Sequence, residues 1–363
     1  MTNIIKVVLL LIFMCSSIFA DESYTKEKIE KMIAKMVVLG FKGETVNKDD
    51  EIYKNIQNGL GGVILFDKDP TNKKKIKNIK NPIQVKNLTS QLQAISKDKL
   101  LISIDQEGGI VQRMKISNGF MNTLNAKNIY TKGKVFAKKS YENLASMLSQ
   151  NGLNVNFAPV VDLAVNKNNK VIYKLGRSYS SNPQEVYDYA SIFVDELKKE
   201  NVISVLKHFP GHGSSLSDSH LGFVDISNTW TEAELQPYKE FIKNKKVDMI
   251  MTAHVFNKKL DETYPATLSY NINTKLLRKK LKYKGVLITD DLQMYAISKH
   301  YDLKTTLTLA INSGVNMLLF ANQQAKEIKL DDIVKTVYSQ ILNEEISLDT
   351  IIESNKKINE LVK

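Results

Sequence analysis

The chain has 363 residues, 43% of them hydrophobic, and a formal net charge of +12. That balance excludes a disordered or collagen-like chain and suits two average domains or one large barrel. The lysines are interleaved with acidic and apolar residues and no nucleic-acid motif accompanies them. They read as a solvated basic surface, with attraction to a membrane surface or an acidic wall polymer as the sharper alternative.

The N-terminus, MTNIIKVVLLLIFMCSSIFADESYTKE, joins Lys6, an apolar run over 7–14 and small residues up to Ala20. This is the three-part form of a secretory signal over residues 1–20, leaving a mature chain of 21–363. The apolar run is short for a membrane span, which takes ~20 residues. Export, to a periplasm, is expected. An extracellular form, or one tethered through an uncleaved or lipidated N-terminus, is the alternative. Cys15 is the only cysteine, so a chain cut after Ala20 has neither a disulfide nor a thiol nucleophile.

ESYTKEKIEKMIAKM then reads as an amphipathic helix. Eight short apolar runs follow: MVVLGF (36–41), GGVILF (61–66), LLISID (100–105), VNFAPVVDL (155–163), VISVLKHF (202–209), VDMIMTAH (247–254), GVLITDD (285–291) and VNMLLFA (315–321). They are rich in Val, Ile and Leu and do not alternate strictly, as strands buried on both faces do not. Helix-like segments separate most of them, among them VKNLTSQLQAISK, SYENLASMLSQNG, PQEVYDYASIFVDELKKE and DLKTTLTLAINSG. The alternation predicts an α/β chain, a single-domain (β/α)8 TIM-type barrel, with a doubly wound sheet as runner-up. Asp105, Lys207, His208, His254, Asp290 and Asp291 fall at or just past the C-terminal ends of predicted strands, where a barrel forms its active site.

In LLISIDQEGGIVQR a buried strand delivers Asp105 to that mouth, Gly108 and Gly109 permit a tight turn, and Arg113 returns eight residues later. Asp105 and Arg113 can hydrogen-bond sugar hydroxyls or form a structural ion pair. KLGRSYS places Arg177 in a polar loop, where a lone arginine is usually a solvated charge. VLKHFPGHGSSLSDSHLGF (205–223) holds three of the five histidines. Pro210, Gly211 and Gly213 forbid a regular helix, so His208 and His212 cannot share a face at i,i+4 spacing. That excludes the common helical two-histidine metal motif and leaves a loop-built site of His208, His212 and His220 open. Asp218 stands two residues from His220, where a carboxylate can hold the ring and fix its tautomer, as a general acid/base needs. A loop histidine without a role is the other reading. GVLITDDLQMYA ends a strand in two carboxylates that point to opposite faces in extended geometry. One attacks or stabilises and the other supports, and Asp291 reads as a helix N-cap before LQMYAISKH.

DQEGG-x-VQR, RSYS, KHFPGHG, DSH and TDDLQM, in this order and spacing over residues 30–325, resemble glycoside hydrolase family 3. The likeness is to its single-domain bacterial β-N-acetylglucosaminidases (β-hexosaminidases) of the wall-recycling type. The resemblance implies a retaining exo-β-N-acetylglucosaminidase that releases terminal N-acetylglucosamine from peptidoglycan fragments or chitin-type oligosaccharides. It implies Asp290 as nucleophile, His220 as acid/base and Asp218 as its assistant. Asp105, Arg113, Arg177, Lys207 and His208 then hold the non-reducing sugar, and His212 is loop structure. No metal and no cofactor is implied. The partner is a carbohydrate, with no nucleic acid and no span in the mature chain, and a monomer is expected. Ile110 stands where many relatives have Arg, Ser214 where many have Asp, and Gly176 where Asp is common. None of these removes a proposed catalytic residue. Competing readings are a phosphorylase using the same glycosyl-enzyme, a metal-dependent hydrolase built on the histidine loop, and a non-catalytic wall-binding protein. Intact Asp218, His220 and Asp290 speak against the last.

Overall fold

The computed structural model describes residues 24–216, 224–324 and 326–363. The expected signal, residues 1–20, lies outside them. Eight parallel strands form one sheet in the order β7-β6-β5-β4-β3-β2-β1-β8. They are β1 (Val37–Gly40), β2 (Gly62–Leu65), β3 (Leu101–Ile104), β4 (Val155–Asn156), β5 (Ile203–Phe209), β6 (Met249–Thr252), β7 (Val286–Ile288) and β8 (Leu318–Phe320). Each lies inside one of the eight apolar runs. A parallel bridge between Ile288 and Met317 joins the two ends of the sheet, so the strands make a (β/α)8 barrel rather than a doubly wound sheet.

Nearly every strand residue is buried, because one face packs into the barrel and the other against helices. The β1–β8 contact is close: a Cβ on Gly40 would overlap the Ala321 carbonyl. Helices fill the connections with conventional signals. Lys26–Lys35 starts at Thr25, whose hydroxyl accepts from the Lys28 N–H. Pro183–Lys199 starts at Asn182, with Pro183 in its first turn. Leu303–Ser313 starts at Asp302 and stops at Gly314, which takes the left-handed conformation at φ 103°.

The packing energy comes from the apolar stripes. Val186, Ala190, Phe193 and Leu197 of Pro183–Lys199 are buried, and Phe193 meets Tyr141 edge-on at 4.8 Å. Burying such a side chain contributes about 1.5–3 kcal/mol. Phe193→Ala would cost about 3–5 kcal/mol by leaving a cavity. One contiguous apolar core takes in residues from every strand but the polar end of β4. Among the described residues no helix is long and apolar enough to cross a membrane.

Candidate active site

The residues at the C-terminal ends of the strands form two sides of one mouth. The first side spans the exits of β3, β4 and β5. Past β3, Gln106 fixes the loop: its Oε1 accepts from the Arg113 and Met114 N–H groups, and its Nε2 donates to Met114 O. Asn156 of β4 receives the Gln106 N–H on Oδ1 and returns Nδ2 to Gln106 O. The turn this allows brings Arg113 back to Asp105, Nη2 to Oδ2 at 3.4 Å. The ion pair foreseen as one alternative is therefore present. Arg113 Nε is buried with no hydrogen-bond partner among the described residues.

Lys207 projects from β5 with 3% of its side chain exposed. Its Nζ lies 2.9 Å from Asp105 Oδ1 and 2.6 Å from Glu107 Oε1. Arg177, expected alone to be a solvated charge, keeps only 10% of its side chain exposed. It donates Nε to Glu107 Oε2 at 2.7 Å and Nη2 to Oε1 at 2.8 Å, and Nη1 to Val171 O. A guanidinium fork and a carboxylate match in this way only when the loop after β4 folds back over the loop after β3. Burial alone would raise the Glu107 carboxyl, but the Arg177 and Lys207 charges hold it well below the usual carboxylate range. Burial works against the Lys207 charge, and Asp105 and Glu107 outweigh it, so its ammonium is held above the ordinary value.

His208 and His212 converge on one buried carboxylate, Asp162, beyond β4. His208 Nδ1 lies 2.6 Å from Asp162 Oδ2, and the His212 N–H donates to Oδ1 at 2.8 Å. The other ring nitrogen of His208 lies 3.4 Å from Arg177 Nη2. The two imidazoles therefore approach, 5.8 Å apart at 73°, without a helix between them. Burial and then His208 push His212 down to about 4, so it is neutral near pH 7, in line with a structural role. Its Nδ1 is 2.7 Å from Ser215 Oγ.

Two asparagines of the loop after β4 hold the segment that follows. Asn169 Nδ2 donates to His212 O and Gly213 O, and Asn166 Nδ2 to Ser214 O and Ser215 O. From the other side the Gly213 N–H donates to Glu234 Oε2 at 2.8 Å. This segment leads to residues 217–223. Asp218 and His220 lie there, outside the described residues. The third member of the alternative metal set, His220, lies there with them. Among the described residues no group of three or more His, Cys, Asp or Glu side chains could hold a metal ion.

The second side is the exit of β7. Asp290 is half-buried, and its Oδ1 accepts the Asp291 N–H at 2.8 Å. Asp291 turns away, as alternation requires, but it is not the N-cap expected. The helix of that stretch is only Tyr295–Ser298, and Met294 occupies its cap position. Asp291 Oδ1 instead accepts from the Gln293 and Ala321 N–H groups, each at 3.1 Å, which ties the turn to the exit of β8. His254, past β6, places Nε2 2.8 Å from Asp291 O and Nδ1 2.8 Å from Thr267 Oγ1.

Glu107 and Asp162 escaped the sequence reading. Glu107 sits inside the quoted DQEGG motif. The signal that could have found both is electrostatic: Arg177, Lys207 and His208 are too many donors for Asp105 alone in a buried mouth.

The model of the family described as "Glycosyl hydrolase family 3 N terminal domain" matches residues 24–361. A "Beta-hexosaminidase A" of Pseudoalteromonas piscicida is 36% identical over 282 residues, 72% of this chain and 45% of that protein. A "Beta-hexosaminidase" of Haemophilus influenzae is 32% identical over 292 residues, 77% of this chain and 78% of the relative. A solved glycoside hydrolase family 3 β-N-acetylglucosaminidase from Paenibacillus sp. superimposes with a TM-score of 0.81 at 31% identity, over 92% of this chain and 61% of that one. This chain thus spans less than half of the Pseudoalteromonas protein and less than two thirds of the Paenibacillus chain.

Proposed function

The chain belongs to glycosyl hydrolase family 3, and from that membership we propose that it is a retaining exo-β-N-acetylglucosaminidase. It releases terminal N-acetylglucosamine from peptidoglycan fragments or chitin-type oligosaccharides. One observation carries the reading: a half-buried carboxylate, Asp290, is fixed at the exit of β7 in the same mouth as the Asp105–Glu107–Arg113–Arg177–Lys207 cluster. A single carboxylate set at the edge of a dense, charge-balanced hydrogen-bonding field suits attack on a bound sugar. The beta-hexosaminidase names of the relatives support the same sugar class.

Asp290 attacks the anomeric carbon and forms a glycosyl-enzyme, and the leaving oxygen departs with a proton from His220. Water then attacks the same carbon, giving up its proton to His220, and the Asp290 ester bond breaks. Two inversions give net retention. Asp218 orients the His220 ring. An ordinary histidine titrates near ~6.5 and can serve both steps close to neutral pH. Asp105, Arg113 and Lys207 hold the sugar hydroxyls. Arg113 Nε, which has no partner among the described residues, is a donor suited to one of them. Arg177 and His208 shape that field, Arg177 through Glu107 and His208 through Asp162. The protein acts after export.

The test is turnover by the purified protein of aryl β-glycosides of N-acetylglucosamine and of glucose, with and without phosphate. Release from the N-acetylglucosaminide without phosphate is expected. Release only with phosphate would replace hydrolysis by phosphorolysis, and loss of activity with a chelator would favour the metal-dependent alternative.

A further inference from the structure

We propose that Lys77 is a positioning residue for Asp290: it holds the chain segment against which the Asp290 turn is pinned. The proposal rests on the reading of Asp290 as nucleophile.

Lys77 lies in the loop after β2 and is 1% exposed. Its Nζ donates to Ala321 O at 3.1 Å and to Asn322 O at 2.6 Å. The same two residues hold the Asp290 turn through their amides. The Ala321 N–H donates to Asp291 Oδ1, and the Asn322 N–H donates to Gln293 Oε1 at 2.7 Å. Asp291 in turn gives its N–H to Asp290. The carbonyl side of 321–322 belongs to Lys77 and the amide side to the turn, so the segment cannot shift without breaking one set.

That segment needs support. Asn322 is in the left-handed region at φ 49°, which costs a non-glycine residue strain. A cation on its carbonyl, with Asn322 Nδ2 on Gly40 O, holds it there. Lys77 reaches the sugar side as well. Its Nζ lies 5.1 Å from the centre of the Phe66 ring, and the Arg113 guanidinium lies 5.1 Å from the same ring.

A buried ammonium is costly, and a methionine would fill the space without that cost. Burial lowers Lys77 to about 8. Glu327, Asp69 and Asp291 raise it and Lys42 lowers it further.

The experiment compares Lys77→Met and Lys77→Arg with wild type and with Lys75→Met, an exposed lysine of the same loop. An activated fluorinated N-acetylglucosaminyl donor reports the rate of covalent labelling of Asp290. An aryl N-acetylglucosaminide gives kcat and KM, and circular dichroism reports folding. Folded Lys77→Met should label about tenfold more slowly or worse, with kcat falling in step and KM within about threefold, because small misplacements of a reacting group cost that much. Lys77→Arg should recover most of the rate, and Lys75→Met should match wild type. Wild-type labelling by folded Lys77→Met, or a loss confined to KM, overturns the proposal. Should Lys77→Met not fold, wild type and Lys77→Arg decide: labelling declines above about pH 8 in the first, as the ammonium discharges, and stays level in the second. Parallel declines overturn the proposal. Undiminished labelling of an Asp290→Ala protein defeats the nucleophile reading itself.

Discussion

Glu107 takes both forks of Arg177, at 2.7 and 2.8 Å, and the Lys207 ammonium at 2.6 Å, with only 6% of its own side chain exposed. Glu107→Gln keeps the shape and removes the charge. Arg177 then loses its ion-pair carboxylate, and Lys207 keeps Asp105 alone, which Arg113 also uses. Breaking a buried pair from one side costs about 3–5 kcal/mol. The urea midpoint should fall accordingly and KM for an aryl N-acetylglucosaminide should rise, since Lys207 would lose the partner that aims it. An unchanged midpoint would show that Glu107 does not carry this network.

Asp290→Ala should reduce kcat by about 10⁴-fold or more, as removal of a nucleophile does in other covalent mechanisms. Folding should be retained, because the carboxylate is half-buried and Asp291, not Asp290, ties the turn to β8. Peptide mapping after trapping with a fluorinated sugar should place the adduct on Asp290. An adduct on another residue would refute the assignment.

His220→Ala should separate poor from good leaving groups. A sugar alkoxide needs a proton to depart and a nitrophenolate does not. General acid–base catalysis supplies about 10²–10⁴-fold, so a disaccharide should lose about that much. An aryl glycoside should show a burst followed by slow turnover, because deglycosylation still needs a base. Equal losses on both substrates, without a burst, would remove His220 from this role.

Glu234 should make stability depend on pH. Burial raises its carboxyl from 4.5 to about 7, despite the Gly213 N–H that it accepts. Between those values the folded state holds a proton that the unfolded state lacks, so stability falls as pH rises through the interval. The loss reaches about 3 kcal/mol above pH 7. His212, depressed to about 4, acts in the opposite sense at lower pH, so the informative quantity is a difference. The urea midpoint of Glu234→Gln minus that of wild type should grow between pH 5 and 8. A difference that stays level over this range would exclude Glu234 as the source.

The barrel was legible because each strand is a separate apolar run and each run ends in polar residues. β7 is three residues long, yet GVLITDD marks it, since burial on both faces leaves no room for a polar position until the strand ends. Asp105 and Asp290 were legible for the same reason, as the first charged groups past those ends, and Lys207 and His208 as the polar residues that close the β5 run. What stayed hidden is pairing across loops. Nothing local distinguishes Glu107 or Asp162 from a solvated acid, because their partners lie 70 and 46 residues away. Asp291 failed as a helix cap because the neighbouring strand exit offered its oxygen a second N–H, at Ala321. Asn166 and Asn169, in a plain polar loop, hold a segment more than forty residues downstream, and only the closed ring brings the two together.

The ring also has an order of assembly. Among the described residues β8 is the last strand in chain order, and it pairs with β1, the first. Its exit carries the Ala321 amide that anchors Asp291. A nascent chain that has emerged only as far as Ser313 already contains Asp290, Glu107 and Lys207, and His254 against Asp291 O, but not the Ala321 amide that ties the β7 turn to β8. The β7 turn is therefore fully tied only when β8 has closed on β1. Ribosome-stalled chains that present only the first seven strands should therefore be inert.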